Sequence, residues 1–200
     1  QPYESAVVNL SLNNTTQYPF AAGEVNQIIA VNPNSYLVCT RQGIFRTDSI
    51  FTVKKHYSFG TNKYDWSWTY FRKWDSIFIS TQEGNLLYNV RTETISKLTY
   101  PPFDKFYPIF SFARGKDSSI WMGQYQDNFL QYEPGTKKFK VYNMPAMGEA
   151  SGIIQLSRDN NNNLWLISTT AGIFKFDEAS ERFTERLTVK PVNGLLENNI

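Results

Sequence analysis

Trp165-Leu-Ile-Ser-Thr-Thr-Ala-Gly-Ile173-Phe174 is an aromatic anchor, a short strand-like run, a turn and an apolar pair. The arrangement occurs three more times, as Tyr36-Leu-Val-Cys-Thr-Arg-Gln-Gly-Ile44-Phe45, Phe78-Ile-Ser-Thr-Gln-Glu-Gly-Asn-Leu86-Leu87 and Trp121-Met-Gly-Gln-Tyr-Gln-Asp-Asn-Phe129-Leu130. The anchors lie 42, 43 and 44 residues apart, and each apolar pair begins eight residues after its anchor. Self-similarity at such a period marks an array of identical supersecondary units.

Outward from each anchor the chain divides into four strand-like runs. In the third copy these are Pro108 to Arg114, Ser119 to Gln124, Asn128 to Glu133 and Phe139 to Asn143, separated by Gly115-Lys-Asp-Ser, Tyr125-Gln-Asp and Pro134-Gly-Thr-Lys. Gly, Pro, Asp and Asn supply the backbone angles that reverse a chain. The fourth copy follows with Gly152 to Ser157, Asn163 to Ser168, Gly172 to Asp177 and Phe183 to Thr188. The second gives Trp66 to Phe71, Ser76 to Thr81, Asn85 to Val90 and Ile95 to Tyr100. In the first, the runs are Val25 to Val31, Ser35 to Thr40, Gly43 to Asp48 and Ile50 to Tyr57, the last two joined by a tighter turn at Asp48-Ser49. No window carries a helical 3.6-residue period.

A four-stranded meander every 40 to 50 residues describes an all-β fold of β-propeller blades. One twisted sheet leaves an apolar face open, so blades stack and cover one another. The chain reads as a fragment of a larger propeller. Residues 1–24 are a lead-in with the outer strand of a preceding blade (Ala6 to Leu12), 25–57, 58–100, 101–143 and 144–190 are four blades, and 191–200 open a further one. Open ends expose strand edges and apolar faces, so self-association into a homodimer is expected.

Composition is that of an ordinary soluble protein, 41% apolar and 19% charged, but 16% of the residues are aromatic, which favours strands. A net charge of +2 with scattered Lys and Arg leaves no footprint for nucleic acid. Cys39 is the only cysteine and falls inside a strand, so it reads as a buried structural thiol. One His and one Cys cannot supply the usual metal ligand sets, and no cofactor motif occurs. No run approaches the ~20 apolar residues of a membrane helix.

Asn163-Leu-Trp-Leu-Ile-Ser-Thr-Thr-Ala-Gly-Ile-Phe-Lys-Phe-Asp177 resembles the two-component regulator propeller repeat. Ser119 to Gln124, Thr81 to Tyr88 and Gly194-Leu-Leu-Glu-Asn-Asn-Ile200 extend the resemblance over Val25 to Ile200, although Tyr36 stands where tryptophan is usual and the Gly-Thr turn survives only in part. In that family, tandem propellers form the periplasmic sensor region of hybrid two-component histidine kinases of Bacteroidetes. The resemblance implies a non-catalytic segment that senses oligosaccharide, relays the signal to a histidine kinase and meets the membrane only through regions outside this chain.

The residues themselves offer little catalytic chemistry. His56 lies in an outer strand without a nucleophile motif beside it. Ser157-Arg-Asp-Asn-Asn-Asn-Asn-Leu-Trp165 resembles an aspartate box and carries enough oxygen for calcium, but reads first as a polar hairpin. Asp65, Asp75, Glu83, Asp104, Asp117 and Glu149 are scattered, and no two single themselves out as a glycosidase pair. Sugar recognition needs aromatic faces and planar polar groups. One rim gathers such residues: Arg41, Gln82 and Tyr125 after second strands, and Tyr64, Trp66 and Tyr107 before first strands. The alternatives are a glycan-active lyase or glycosidase and a protein-interaction scaffold, with Trp66 serving only as filler between blades.

Overall fold

A computed structural model describes residues 25–40, 42–58, 67–81, 84–98, 108–124, 128–144, 152–169 and 171–187. Among the described residues sixteen strands fall into four antiparallel sheets, each a simple meander. Blade 1 holds β1 (Val25–Asn32), β2 (Ser35–Thr40), β3 (Gly43–Asp48) and β4 (Val53–Tyr57). Blade 2 holds β5 (Ser67–Lys73), β6 (Ser76–Thr81), β7 (Gly84–Asn89) and β8 (Thr94–Lys97). Blade 3 holds β9 (Ile109–Arg114), β10 (Ile120–Gln124), β11 (Asn128–Glu133) and β12 (Lys138–Asn143). Blade 4 holds β13 (Ile153–Arg158), β14 (Leu164–Ser168), β15 (Gly172–Asp177) and β16 (Arg182–Leu187). These are β-propeller blades: second strands are almost wholly buried on both faces, while fourth strands such as β16 are largely exposed. The lead-in strand at Ala6 to Leu12 and the segment 191–200 lie outside the described residues.

Three apolar clusters fill the three seams. Ile29, Leu37, Cys39 and Ile44 of blade 1 meet Ile77, Ile79, Leu86 and Tyr88 of blade 2. Phe78 of blade 2 meets Ile120, Met122 and Leu130 of blade 3. Trp121 and Phe129 of blade 3 meet Leu164, Leu166, Phe174 and Phe176 of blade 4. Blades 2 and 3 therefore each turn one face back and one forward, as strand alternation requires.

That alternation corrects the first copy of the repeat. Phe78 and Trp121 face the following blade, but in blade 1 the residue doing so is Leu37, third in its strand, as Phe78 is in β6. Tyr36 points to the opposite face and stacks on Phe51 with ring centroids 5.3 Å apart. The aromatic attracted the alignment one residue out of phase, and a one-residue slip in a strand exchanges its faces. Ile50 to Thr52 are also not strand. Asp48 Oδ1 accepts from the Ile50 and Thr52 amides, and Phe51 takes a φ of 62°, so the turn runs from Asp48 to Thr52.

The seams are tied by polar contacts that repeat every second blade. At the first, Lys55 Nζ and the Tyr57 hydroxyl both donate to the Glu93 carbonyl, 3.1 and 2.7 Å, and Arg46 pairs with the Glu93 carboxylate at 2.6 Å. At the third, Lys140 pairs with the Glu181 carboxylate and the Tyr142 hydroxyl donates to it at 3.1 Å. Arg72 donates to the Ala30 and Val31 carbonyls across the first seam, and Arg158 to the Arg114 carbonyl across the third. The middle seam has Ser96 and Leu98 in place of the Lys and Tyr, and Lys137 in place of the Glu.

Candidate functional site

Each second strand ends on a buried polar residue: Thr40, Thr81, Gln124 and Ser168. Thr40 Oγ1 donates to the Gly43 carbonyl at 3.1 Å and Thr81 Oγ1 to the Gly84 carbonyl at 2.8 Å, while Ser168 Oγ accepts from the Ala171 amide at 3.2 Å. The first strand beside each carries an extra residue, at Asn26, Trp68, Phe110 and Ile154, where the pairing register shifts. Such a bulge increases local twist and re-aims the chain at a sheet edge. Asn26 adds a polar Nδ2 enclosed without a hydrogen-bond partner among the described residues.

This is the edge to which the six expected ligand residues attach. Arg41, Gln82 and Tyr125 each follow the last residue of β2, β6 and β10, and those strand ends are equivalent in the repeat. Trp66 precedes β5, and Tyr64 and Tyr107 lie a few residues before β5 and β9, whose first residues pair with Thr81 and Gln124. All six themselves lie outside the described residues. The strand ends from which Arg41, Gln82 and Tyr125 depart occupy the same position in their blades.

Two glycines set the seam and turn geometry below this edge. A Cβ on Gly123 would stand 2.6 Å from Ile153 Cγ2, so β10 and β13 approach closely only because the side chain is absent. Gly43 has a φ of 116°, and a Cβ there would meet the Tyr57 carbonyl oxygen at 2.4 Å.

Asp65, Glu83, Asp104 and Glu149 lie outside the described residues, and other chemically suggestive side chains that are described are engaged in structure. Asp159 Oδ1 accepts from the Asn161 and Asn163 amides and Oδ2 from Asn163 Nδ2 and Trp165 Nε1, all at 2.7 to 2.9 Å. Those bonds, the Trp165 one foremost, hold its carboxyl well below the usual range. The Asn run is thus a hairpin closed on its own aspartate. His56 is exposed, stacks on Phe45 at 4.2 Å and places Nε2 2.8 Å from the Gln42 carbonyl oxygen. Asp75 pairs with Arg91 at 2.5 Å. Among the described residues no cluster of three His, Cys, Asp or Glu could hold a metal, and no helix is long and apolar enough to cross a membrane.

At the opposite edge, where first and second strands turn, Glu178 of blade 4 receives both Arg158 guanidinium nitrogens at 2.7 and 2.8 Å and Trp121 Nε1 of blade 3 at 2.7 Å. Burial pushes the Glu178 carboxyl up, but the Arg158 and Trp121 bonds outweigh it and its pKa lies below the ordinary value. Trp121 is therefore a seam residue, as its place in the repeat predicts. The same edge holds a groove of about 390 Å³ at the middle seam, which sequence reading missed. The available signal was a tryptophan, Trp74, in a two-residue turn between paired Lys73 and Ser76.

No family model matches the sequence, and no curated protein matches it. Solved structures do. The fold is shared with extracellular domains of bacterial signalling systems. One, from a one-component system of B. thetaiotaomicron, has a TM-score of 0.66 at 16% identity, over 88% of this chain and 24% of that one. Another, from a hybrid two-component system of the same organism, has a TM-score of 0.58 at 18% identity, over 88% and 23%. Virginiamycin B lyase from Staphylococcus aureus is also similar, with a TM-score of 0.61 at 14% identity, over 81% and 54%. The chain spans about a quarter of the length of the two signalling domains.

Proposed function

We propose that the chain is a non-catalytic segment of an extracytoplasmic sensor in a two-component signalling protein, and that it binds an oligosaccharide at the edge carrying Arg41, Gln82, Tyr125, Tyr64, Trp66 and Tyr107. The observation that carries this reading is the fold shared with extracellular domains of two-component systems. The equivalent strand ends support it, because they offer repeated attachment points for planar polar and aromatic groups around one edge. The segment then lies in the periplasm as part of an inner-membrane protein and passes ligand occupancy to a histidine kinase through rigid-body rearrangement of associated propellers. Self-association as a homodimer belongs to the same reading and is read by light scattering across a concentration series.

The lyase likeness favours a second reading, a glycan-active or other lyase. A thermal-shift and calorimetric screen against oligosaccharides separates the two. Saturable binding without product, lost in a Gln82→Ala, Tyr125→Ala double variant, supports the sensor; product release in proportion to protein supports the enzyme. Absence of any binding across the screen refutes oligosaccharide sensing by this segment.

A further inference from the structure

The groove at the middle seam gathers two of the places where this chain departs from its own repeat. At the turn between first and second strands the other blades use Pro33-Asn34, Gly115 to Ser118 and Asp159 to Asn162. Blade 2 instead uses Trp74, which stands 67% exposed at a φ of 51°. A bulky side chain in left-handed backbone is an outlier that glycine or asparagine would remove. At the end of the third strand, Asp48, Asn89 and Asp177 each accept from two turn amides through their side-chain oxygens. Blade 3 has Glu133, whose Oε2 takes only the Thr136 hydroxyl and whose exposed carboxylate lines the groove. Departures from local rules that converge on one cavity are a mark of function.

The chemistry of the lining decides the ligand class. Lys73 is buried, sits 4.7 Å from the centre of the Trp74 ring, and donates to the Ser118 and Ser119 carbonyls, so its ammonium is spent on the protein. Asp117 accepts from the Ser119 amide at 3.0 Å, from Gln131 Nε2 at 3.2 Å and from the Ser119 side chain, which leaves at most one of its lone pairs open. With Glu133 this gives two carboxylates around one exposed indole. A Cβ on Gly135 would meet nothing within 4 Å, so the floor beside them is clear. We propose that the groove binds an aliphatic amine, its alkyl stem on the indole face and its ammonium between Glu133 and Asp117. The Lys73 ammonium already faces the Asp117 charge, so the charge left uncompensated is that of Glu133; an ammonium neutralises it where a hydroxyl donor does not, and aliphatic stems lie readily on apolar faces.

The test is calorimetric titration of the whole chain with 1,5-diaminopentane, with 1,5-pentanediol as the neutral isostere and a disaccharide as competitor. Binding of the diamine and not the diol is expected, weakened at least tenfold by Trp74→Ala or by Glu133→Gln and weakened further by salt. Both side chains are exposed, so the variants keep the wild-type circular dichroism, and Asp117, which caps its turn, is left in place. No diamine binding at millimolar concentration, binding untouched by either variant, or preference for the diol or the disaccharide each overturns the proposal. Because Arg41, Gln82 and Tyr125 are unchanged in these variants, the oligosaccharide reading stands or falls separately.

Discussion

Replacing Glu178 with alanine removes the one acceptor shared by Arg158, Trp121 and the backbone of Lys116 across the third seam. The Glu178 and Arg158 side chains are 10% and 17% exposed, so neither charge regains full hydration when its partner is lost. Breaking such a pair costs about 3 kcal/mol. The orphaned indole N–H of Trp121, itself 1% exposed, adds about 1 kcal/mol. At about 2–4 °C per kcal/mol for a chain of this size, the melting temperature should fall by about 10 °C. Glu178→Gln keeps an acceptor for Trp121 and should lose roughly half as much. The carboxyl is held below its ordinary pKa of 4.5, so its contribution is present above that pH and lost as pH falls through the folded value. Wild-type stability should therefore decline below pH 4.5 more steeply than that of Glu178→Gln. The assay is thermal and urea unfolding by tryptophan fluorescence and circular dichroism at a series of pH values. A drop in melting temperature under about 2 °C for the alanine variant, or parallel acid profiles for wild type and glutamine variant, would refute the assignment of this cluster as the clamp of the seam.

Gly123→Ala pushes a methyl group into Ile153 and should cost about 2 kcal/mol in urea unfolding, recovered in part by Ile153→Ala. Trp74→Asn should leave stability unchanged or raise it by about 1 kcal/mol, because it relieves left-handed strain at an exposed turn. Burial raises the Tyr57 hydroxyl to about 12, so its contribution is intact below pH 10 and lost as pH rises through 12; alkaline unfolding should shift in Tyr57→Phe, followed by tyrosinate absorbance. Asp159→Ala should loosen the hairpin of blade 4 and lower the melting temperature, and millimolar calcium should protect neither it nor the wild type.

Strands were legible because turn residues and alternating apolar residues punctuate every blade, and most edges fall within two residues of those read from the sequence. The first copy went out of phase because Tyr36 is the larger aromatic, while face assignment depends on position from the turn, where Leu37 matches Phe78. Ile50 to Thr52 looked like strand because Ile, Phe and Thr favour sheets, but the Asp48 side chain captures two amides and bends the chain. The edge proposed to bind ligand rests on repeat positions, since Arg41, Gln82 and Tyr125 each follow the end of a second strand. The seam contacts were not legible in this way: Glu178, Arg158 and Trp121 are brought together from separate blades, and no local pattern encodes that meeting. The groove needed the repeat to be read against itself, with Trp74 and Glu133 as the exceptions.

The alternation of seam ties groups the array into two dyads. Blades 1 and 2 share the Lys55, Tyr57 and Glu93 tie, blades 3 and 4 the Lys140, Tyr142 and Glu181 tie, and the joint between dyads rests on apolar packing, on Lys73 and on the Ile109 amide, which donates to Ser80 Oγ at 2.9 Å. Salt should therefore weaken the first and third seams, which carry ion pairs across them, more than the middle one.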